Sequence, residues 1–320
     1  MDSRKQKCMI CGKRFDSDKP LHFHLKAHSI KTKEYYEKFF PKKDLLTGEK
    51  IEFANKESYK KKHFVSATNF KTWRKITDIN EVRKFCSKLF NDRVKDGKAR
   101  FSPSEVELRS LMWPTVSECE RLFDGYYDFC SSVGLINKFR YYLDIEKPED
   151  DNDFTIYIDT REQLPLEFGS KDTEVRTLKF GDYCASNAYE KCLLYIERKS
   201  LADFVGTLSP KHFNRFRKEI MKAADSQAFL VVLVESVFSN AMSFKKKREI
   251  RSAERIHKDT KMNPGYILKQ MRDLCQEFSH IQFLFVDGRE ESSRVAEKVF
   301  ANPDYYSQID LQYMYDISNL

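Results

Sequence analysis

The C-terminal half of this 320-residue chain predicts an α/β domain, a mixed sheet flanked by helices. Two patterns point there. From Phe154 onward, short apolar runs of strand length alternate with longer stretches of helical periodicity. One run, Ala228–Val234, is apolar throughout, as expected of a central strand covered on both faces. The first half reads differently, as a Cys/His-rich start, a basic aromatic-rich segment and a set of capped helices. At roughly 150 residues per domain, a chain of this length holds two or three domains.

Within the C-terminal domain, Phe154–Ile158 alternates and ends at Asp159. Val175–Leu178 is a second strand. Tyr183–Ser186 and Cys192–Ile196 form a hairpin around a loop at 187–192, and Ile281–Val286 is a last strand. Helices are expected at Leu201–Gly206, at Pro210–Ala224 with Ser209 as cap and Pro210 in the first position, at Pro264–Phe278 and at Arg289–Phe300.

Composition narrows the function classes. Mean hydropathy is −0.64, and charged residues make up 33%. No window approaches the ~18 apolar residues of a membrane span, and no leading apolar stretch resembles a signal peptide. A membrane or secreted protein is not expected, and an intracellular one is. Net charge is +8, but it is unevenly placed: positions 1–75 hold 20 Lys/Arg against 9 Asp/Glu, and the rest holds 37 against 40. A polyanion-binding end on a near-neutral body, or a solubilising face, accounts for that asymmetry. The eight cysteines include one Cys-x-x-Cys; the others are scattered among apolar neighbours and read as reduced, buried thiols.

That Cys-x-x-Cys is Cys8 and Cys11. Twelve residues later comes His24-x-x-x-His28. The spacing suits a tetrahedral Zn²⁺ site, with a tight knuckle supplying two thiolates and one helical turn supplying two imidazoles. Phe15 and Leu21 stand where such a unit keeps its small core, and metal binding would drive its folding. His22 is a nearby competitor without the pairing to His28. Residues 1–30 resemble a Cys2His2 zinc finger, departing from it in having Gln6 two residues before Cys8, where an aromatic is usual. One finger reads about three base pairs and helps to position something else.

Residues 31–76 interleave lysines with rings, including Tyr35, Tyr36, Phe39 and Phe40. Lys60, Lys61 and Lys62 are the densest basic run and candidate DNA contacts. The alternative is a small helical core of rings under a solvated lysine face. Residues 77–145 read as helices: Asp78-x-x-Glu81 opens one, Ser102-Pro103-Ser104-Glu105 combines cap, N1 proline and capping box, and Thr115-x-x-Glu118 opens a third. The run from Trp113 through Gly125 to Gly134-Leu135 resembles the short helix–turn–helix repeats that accompany homing endonucleases, which implies DNA contact, against an inert spacer. Residues 146–153, with five acids and a proline, are an acidic linker. The domain proper spans 154–305, and 306–320 is a C-terminal tail.

The charged groups of the C-terminal domain gather at strand ends. They are Asp159-Thr160-Arg161-Glu162, Gly181-Asp182, and Glu197-Arg198-Lys199 with Asp203. If Asp182 opposes Glu197 across the hairpin, their Cβ atoms lie about 5 Å apart on one face. Lys199, two residues along the strand, shares that face. Two such acids repel unless a cation joins them. They suit Mg²⁺ or Mn²⁺, which would aim a bound water at phosphorus while the ammonium offsets charge on the phosphoryl oxygens.

Asp-x(n)-Glu-x-Lys is the core of the PD-(D/E)xK nucleases, and the longer run Gly181-Asp182 … Glu197-Arg198-Lys199-x-x-x-Asp203, with Asp159-Thr160-Arg161-Glu162 upstream, resembles the signature of XPF-type structure-specific endonucleases. The resemblance implies a restriction-endonuclease-like fold and cleavage of DNA at flaps, forks and duplex–single-strand junctions, in repair, recombination or replication. It implies Asp182 and Glu197 as metal ligands, Glu162 as a further ligand or holder of metal water, Lys199 as catalytic lysine, and Asp159, Arg161, Arg198 and Asp203 as supporting residues. It also implies a homodimer through the nuclease domain. Plainer roles stay open: Asp203 completing a capping box with Ser200, Arg198 in a sheet ion pair, Asp159 capping a turn. Lys211, Arg215 and Arg217, on the helix after Ser209-Pro210, suit phosphate contact, and Lys245–Arg248 is a second basic run. The family's paired helix–hairpin–helix motifs have no counterpart in 301–320. Two rivals remain: a site-specific nuclease of the homing or restriction kind, and a DNA-binding scaffold with an idle nuclease fold.

Overall fold

Six strands of the C-terminal half hydrogen-bond into one mixed sheet in the order β4-β3-β5-β6-β7-β8. They are β3 (Thr155–Asp159), β4 (Thr173–Arg176), β5 (Tyr183–Ser186), β6 (Leu194–Lys199), β7 (Phe229–Val234) and β8 (Ile281–Phe285). The computed structural model describes residues 6–41, 53, 78–140, 154–169, 171–186, 193–244, 262–317 and 320. The chain divides into two units, Met1–Cys86 and Ser87–Leu320, and the sheet lies in the second.

The apolar run at β7 sits inside the sheet, paired in parallel with β6 on one side and β8 on the other. Both its faces are covered. Leu230, Val232 and Val234 join Phe283 and Phe285 in a core with Phe204, Phe216, Ile220, Ile267 and Leu274. The alternate residues Val231 and Leu233 are buried as well, which is why no alternation shows in the sequence.

Strand β4 lies two residues earlier than expected. Its four residues are all exposed, as suits a charged edge strand. Leu178 does not extend the ladder because its N–H donates to the Asp159 carboxylate at 2.7 Å. The hairpin has the expected register, Tyr183 opposite Ile196 and Cys184 opposite Tyr195. Its expected loop, 187–192, lies outside the described residues, as do Lys245–Arg248 and the linker at 146–153.

Helix starts follow from which serines are free to cap. Ser200 caps α7 (Leu201–Thr207), accepting from the Asp203 N–H. Ser209 does not cap the next helix, because its hydroxyl donates back to the Gly206 carbonyl at 2.6 Å. Pro210 to His212 therefore form a turn, and α8 begins three residues later than expected (Phe213–Asp225) with His212 at its cap. Asn263 and Pro264 start α10 (Pro264–Glu277) as the sequence indicates. The short α9 (Phe238–Ser243) precedes it. After β8 come α11 (Gly288–Ala301), α12 (Pro303–Ser307) and α13 (Leu311–Asp316).

The part of this unit that precedes the sheet is helical. It holds α3 (Ile79–Lys95), which begins in the first unit, α4 (Glu105–Leu111), α5 (Val116–Phe123) and α6 (Tyr126–Ser132). Thr115 and Glu118 form the expected capping box. For α4 the box is Ser104 with Glu107, not Ser102 with Glu105. Ser102 is used elsewhere, accepting from the Lys138 N–H at 3.0 Å. These helices share the core of the sheet through Val106. Lys138 sends its ammonium onto the carbonyls of Cys275, Phe278 and Ile281 at 3.3, 3.3 and 2.6 Å, closing the end of α10. Residues 306–320 pack too: Leu311 and Met314 are buried, and Asp310 accepts from the Glu105 N–H at 2.6 Å.

In the first unit, β1 (Gln6–Lys7) and β2 (Arg14–Phe15) form a small hairpin followed by α1 (Asp18–Leu25), a 3-10 turn (Lys26–His28) and α2 (Thr32–Phe39). Leu21, Leu25, Tyr35 and Tyr36 share its core with Cys8 and Phe53. Among the described residues, no helix is long and apolar enough to cross a membrane.

Candidate active site and metal centre

The sheet positions three charged side chains at the ends of β5 and β6. Gly181 makes the approach: its φ is +60°, and a Cβ there would lie 2.8 Å from the Ile196 carbonyl oxygen. Only glycine fits both demands. The next residue, Asp182, lies one step beyond the last ladder pair, Tyr183 with Ile196, and donates its N–H to that same carbonyl at 2.8 Å, which holds it at the end of β6 near Glu197. Its carboxylate accepts the Arg198 N–H at 2.7 Å. Glu197 and Lys199 pair with Val232 and Val234 of β7, so they lie on the sheet face that covers α8 and α10. The Lys199 ammonium hydrogen-bonds the Glu197 carboxylate.

The electrostatics follow from this crowding. Burial, with the Glu197 carboxylate next in importance, pushes the Asp182 carboxyl up to about 7. Burial would lower Lys199, but the Glu197 carboxylate outweighs it and holds the ammonium above its ordinary value. Lys199 is thus a fixed positive charge at neutral pH. Two crowded, half-buried carboxylates are the donor set a hard dication resolves, and Asp182 and Glu197 fit one.

Arg198 points to the other face, as strand alternation requires. There it bridges two carboxylates, donating to Glu162 at 2.9 Å and to Glu235 at 2.9 Å. All three side chains are mostly buried, at 14%, 8% and 13% exposure. Glu162 is therefore held by Arg198 and does not close on Asp182 and Glu197. Arg289, at the start of α11, extends the chain of charges to Glu235 at 3.5 Å and donates to the Leu164 and Pro165 carbonyls at 2.6 and 2.5 Å. It fastens the loop that carries Glu162. Sequence reasoning missed Glu235 and Arg289. The available signals were an acid directly after the apolar run ending at Val234, and a cation after Asp287-Gly288.

Asp159 is buried and accepts from the Arg161 side chain at 2.6 and 3.1 Å and from the Arg161 and Leu178 N–H groups at 2.8 and 2.7 Å. Burial would raise its carboxyl, but these donors outweigh burial and hold it below the ordinary carboxylate range. It braces the end of β3, and its own N–H donates to the Asp182 carbonyl at 2.8 Å. Arg161 stays largely exposed at 69%, on the rim. Asp203 sits in the first turn of α7, accepting from the Ser200 hydroxyl at 2.6 Å. Of the proposed DNA contacts, Lys211 and Arg215 are exposed, whereas Arg217 is taken up by Glu277. Lys60, Lys61 and Lys62 lie outside the described residues.

The second site is in the first unit. The donor atoms of Cys8, Cys11, His24 and His28 all lie within 4.8 Å of one another, and among the described residues no other group of three or more such side chains converges so closely. The His24 Nε2 is 3.1 Å from the Cys11 Sγ and 3.0 Å from the His28 Nε2. Two sulfurs and two nitrogens at that spacing fit a tetrahedral metal ion. Burial raises the Cys8 thiol, but N–H groups of Cys11 and Ile10 outweigh it and leave the thiol below its ordinary value. His22 is turned away, 3.1 Å from the Tyr36 hydroxyl. The aromatic missing at Gln6 is made good by Tyr35 of α2, which is fully buried against Cys8 and accepts the Met9 N–H of the knuckle at 2.8 Å.

Residues 158–299 match the family model of the ERCC4 domain. This stretch, a little under half of the chain, is similar to the ERCC4 domain. Asp182, Glu197 and Lys199 all fall inside it. No curated protein matches the chain. Among solved structures, XPF from Aeropyrum pernix is similar at 15% identity, over 51% of this chain and 68% of that one, with a TM-score of 0.34. The same protein in complex with DNA is similar at 16% identity, over 47% of this chain and 65% of that one, with a TM-score of 0.31.

Proposed function

We propose that this chain is a divalent-metal-dependent DNA endonuclease that cuts at branched, flap or forked DNA, leaving 5′-phosphate and 3′-hydroxyl ends. The observation that carries it is the convergence of the Asp182 and Glu197 carboxylates with the Lys199 ammonium, which hydrogen-bonds Glu197, inside the stretch that matches the ERCC4 domain. Asp182 and Glu197 would hold Mg²⁺ or Mn²⁺, which when bound lowers the pKa of a coordinated water and polarises the phosphoryl oxygens. Lys199, already charged, offsets the negative charge that grows on those oxygens in the transition state. Glu197 fixes the ammonium in place. Arg198, with Glu162 and Glu235 on the reverse face, holds the strand end straight, and its N–H orients the Asp182 carboxylate. Arg161 on the rim, with Lys211 and Arg215, would meet backbone phosphates. In the first unit, the Cys8, Cys11, His24 and His28 set would hold Zn²⁺, organising a finger that engages DNA. A second copy of the chain through the nuclease domain is part of this reading.

The test is cleavage of flap, fork and plain duplex substrates across a titration of Mg²⁺ and Mn²⁺. Asp182→Asn and Lys199→Ala are each expected to lower the rate at least ~100-fold, while DNA binding without added Mg²⁺ stays within a few-fold. If either variant cuts as fast as the parent, the site assignment is wrong. Cuts at a fixed sequence in random duplex would favour the site-specific alternative.

A further inference from the structure

A Cys2His2 finger that reads duplex DNA sends side chains to base edges from positions −1, 3 and 6 of its helix. In α1, which starts at Asp18, those positions are Ser17, Pro20 and Phe23. Proline and phenylalanine carry no side-chain group that can hydrogen-bond a base edge, so two of the three reading positions can do no more in the major groove than touch a thymine methyl. The face is not buried against anything that would explain an apolar choice. Phe23 is 69% exposed, against 42% for Phe40, the next most exposed phenylalanine among the described residues of the unit. Pro20, Lys19 and Lys26 around it are exposed as well. Lys26 places its ammonium 4.8 Å from the Phe23 ring centroid.

An exposed ring with a cation over one face offers what unpaired nucleobases use: a second aromatic face to stack on and a positive charge for the adjoining phosphate. The surrounding charge agrees, since Lys7, Lys13, Arg14, Lys19 and Lys26 outnumber Asp16 and Asp18 over residues 6–30. We propose that the outer face of α1 is a stacking platform for an unpaired base of single-stranded DNA, with Phe23 beneath the base and Lys19 and Lys26 on flanking phosphates. The finger then selects the unpaired arm of a substrate and does not read duplex sequence. This deepens the reading of the chain as a DNA endonuclease, but the platform can be tested without cleavage.

The full-length, zinc-loaded protein is titrated onto a fluorescent oligothymidine and onto a hairpin duplex, at matched salt and without added Mg²⁺. Phe23→Leu keeps an apolar side chain but removes the π-face; Phe23→Tyr keeps it. Phe23→Leu is expected to weaken single-strand binding at least ~5-fold and to leave duplex binding within 2-fold, while Phe23→Tyr matches the parent on both. Lys26→Gln is expected to reduce the slope of log affinity against log salt on the single strand by about 0.7. Unchanged single-strand affinity in Phe23→Leu overturns the proposal, and so does an equal loss on both ligands. A docking surface for another protein would give the first of those results. Cleavage of the substrate panel by the parent protein reports separately on the nuclease site, so failure of one reading is distinguishable from failure of the other.

Discussion

Replacing Arg198 by methionine removes the cation between two buried carboxylates and keeps most of the side-chain volume. Glu162 would retain only the Leu164 N–H at 3.0 Å, and Glu235 only Arg289 at 3.5 Å. With side-chain exposures of 8% and 13%, solvent cannot take over. Removing one partner of a buried ion pair costs 3–5 kcal/mol, because the other charge stays buried; here the cost expected is about 3 kcal/mol, since Arg289 still serves Glu235. The assay is urea unfolding at pH 7.5, followed by Trp113 fluorescence in a Trp73→Phe background. Adding Glu162→Gln should recover part of the loss, giving a coupling energy of roughly 1–2 kcal/mol in a double-mutant cycle. A loss below about 1 kcal/mol, or strict additivity, would refute the claim that this charge chain fixes the strand end.

Gly181→Ala should be disproportionately harmful for so small a change. The methyl meets a backbone oxygen at a left-handed φ, so a stability loss of about 1–3 kcal/mol and a marked fall in cleavage are expected, measured by thermal unfolding and rate. Metal binding at Asp182 competes with a proton. With the metal-free carboxyl at about 7, apparent Mn²⁺ affinity should fall about tenfold per pH unit below 7, by calorimetric titration; a flat profile from pH 5.5 to 7 would contradict it. Glu105, nearly fully buried with Asp310 close by, has its carboxyl pushed up to about 8, by burial first. The folded state therefore binds the proton more tightly than the unfolded chain. The resulting stability is fully present below about pH 4.5 and is lost as pH rises through 8, a swing on the order of 5 kcal/mol. Glu105→Gln should flatten that slope in unfolding scans from pH 5 to 8.5, and a parallel curve would count against it.

The closeness of Asp182 and Glu197 was legible because a hairpin converts sequence spacing into neighbouring positions. Once Tyr183 pairs with Ile196, Asp182 and Glu197 must share a face, and Lys199 follows by alternation. The reverse face was not legible. Glu235 lies 37 residues from Arg198, and Arg289 lies 54 residues from Glu235. No local period joins them, only the parallel crossovers that bring β6, β7 and α11 side by side. Glu162 shows the same limit: its strand-end position was readable, but its capture by Arg198 depends on a partner across the sheet. Helix starts failed where a serine had another partner, Ser209 a carbonyl behind it and Ser102 the Lys138 N–H. Tyr35 was visible only as one ring among many, because its place against Cys8 is set by the tertiary packing of α2.

Glu197, Arg198 and Lys199 are consecutive, yet they serve opposite sides of one sheet. A single residue inserted within β6 ahead of them would exchange their assignments, turning the guanidinium toward the substrate and the acid and amine toward α11. Residues added beyond the strand, in the hairpin tip, would leave the parity untouched. Length variation among relatives should therefore collect at that tip, while the six positions of β6 tolerate substitution far better than insertion or deletion.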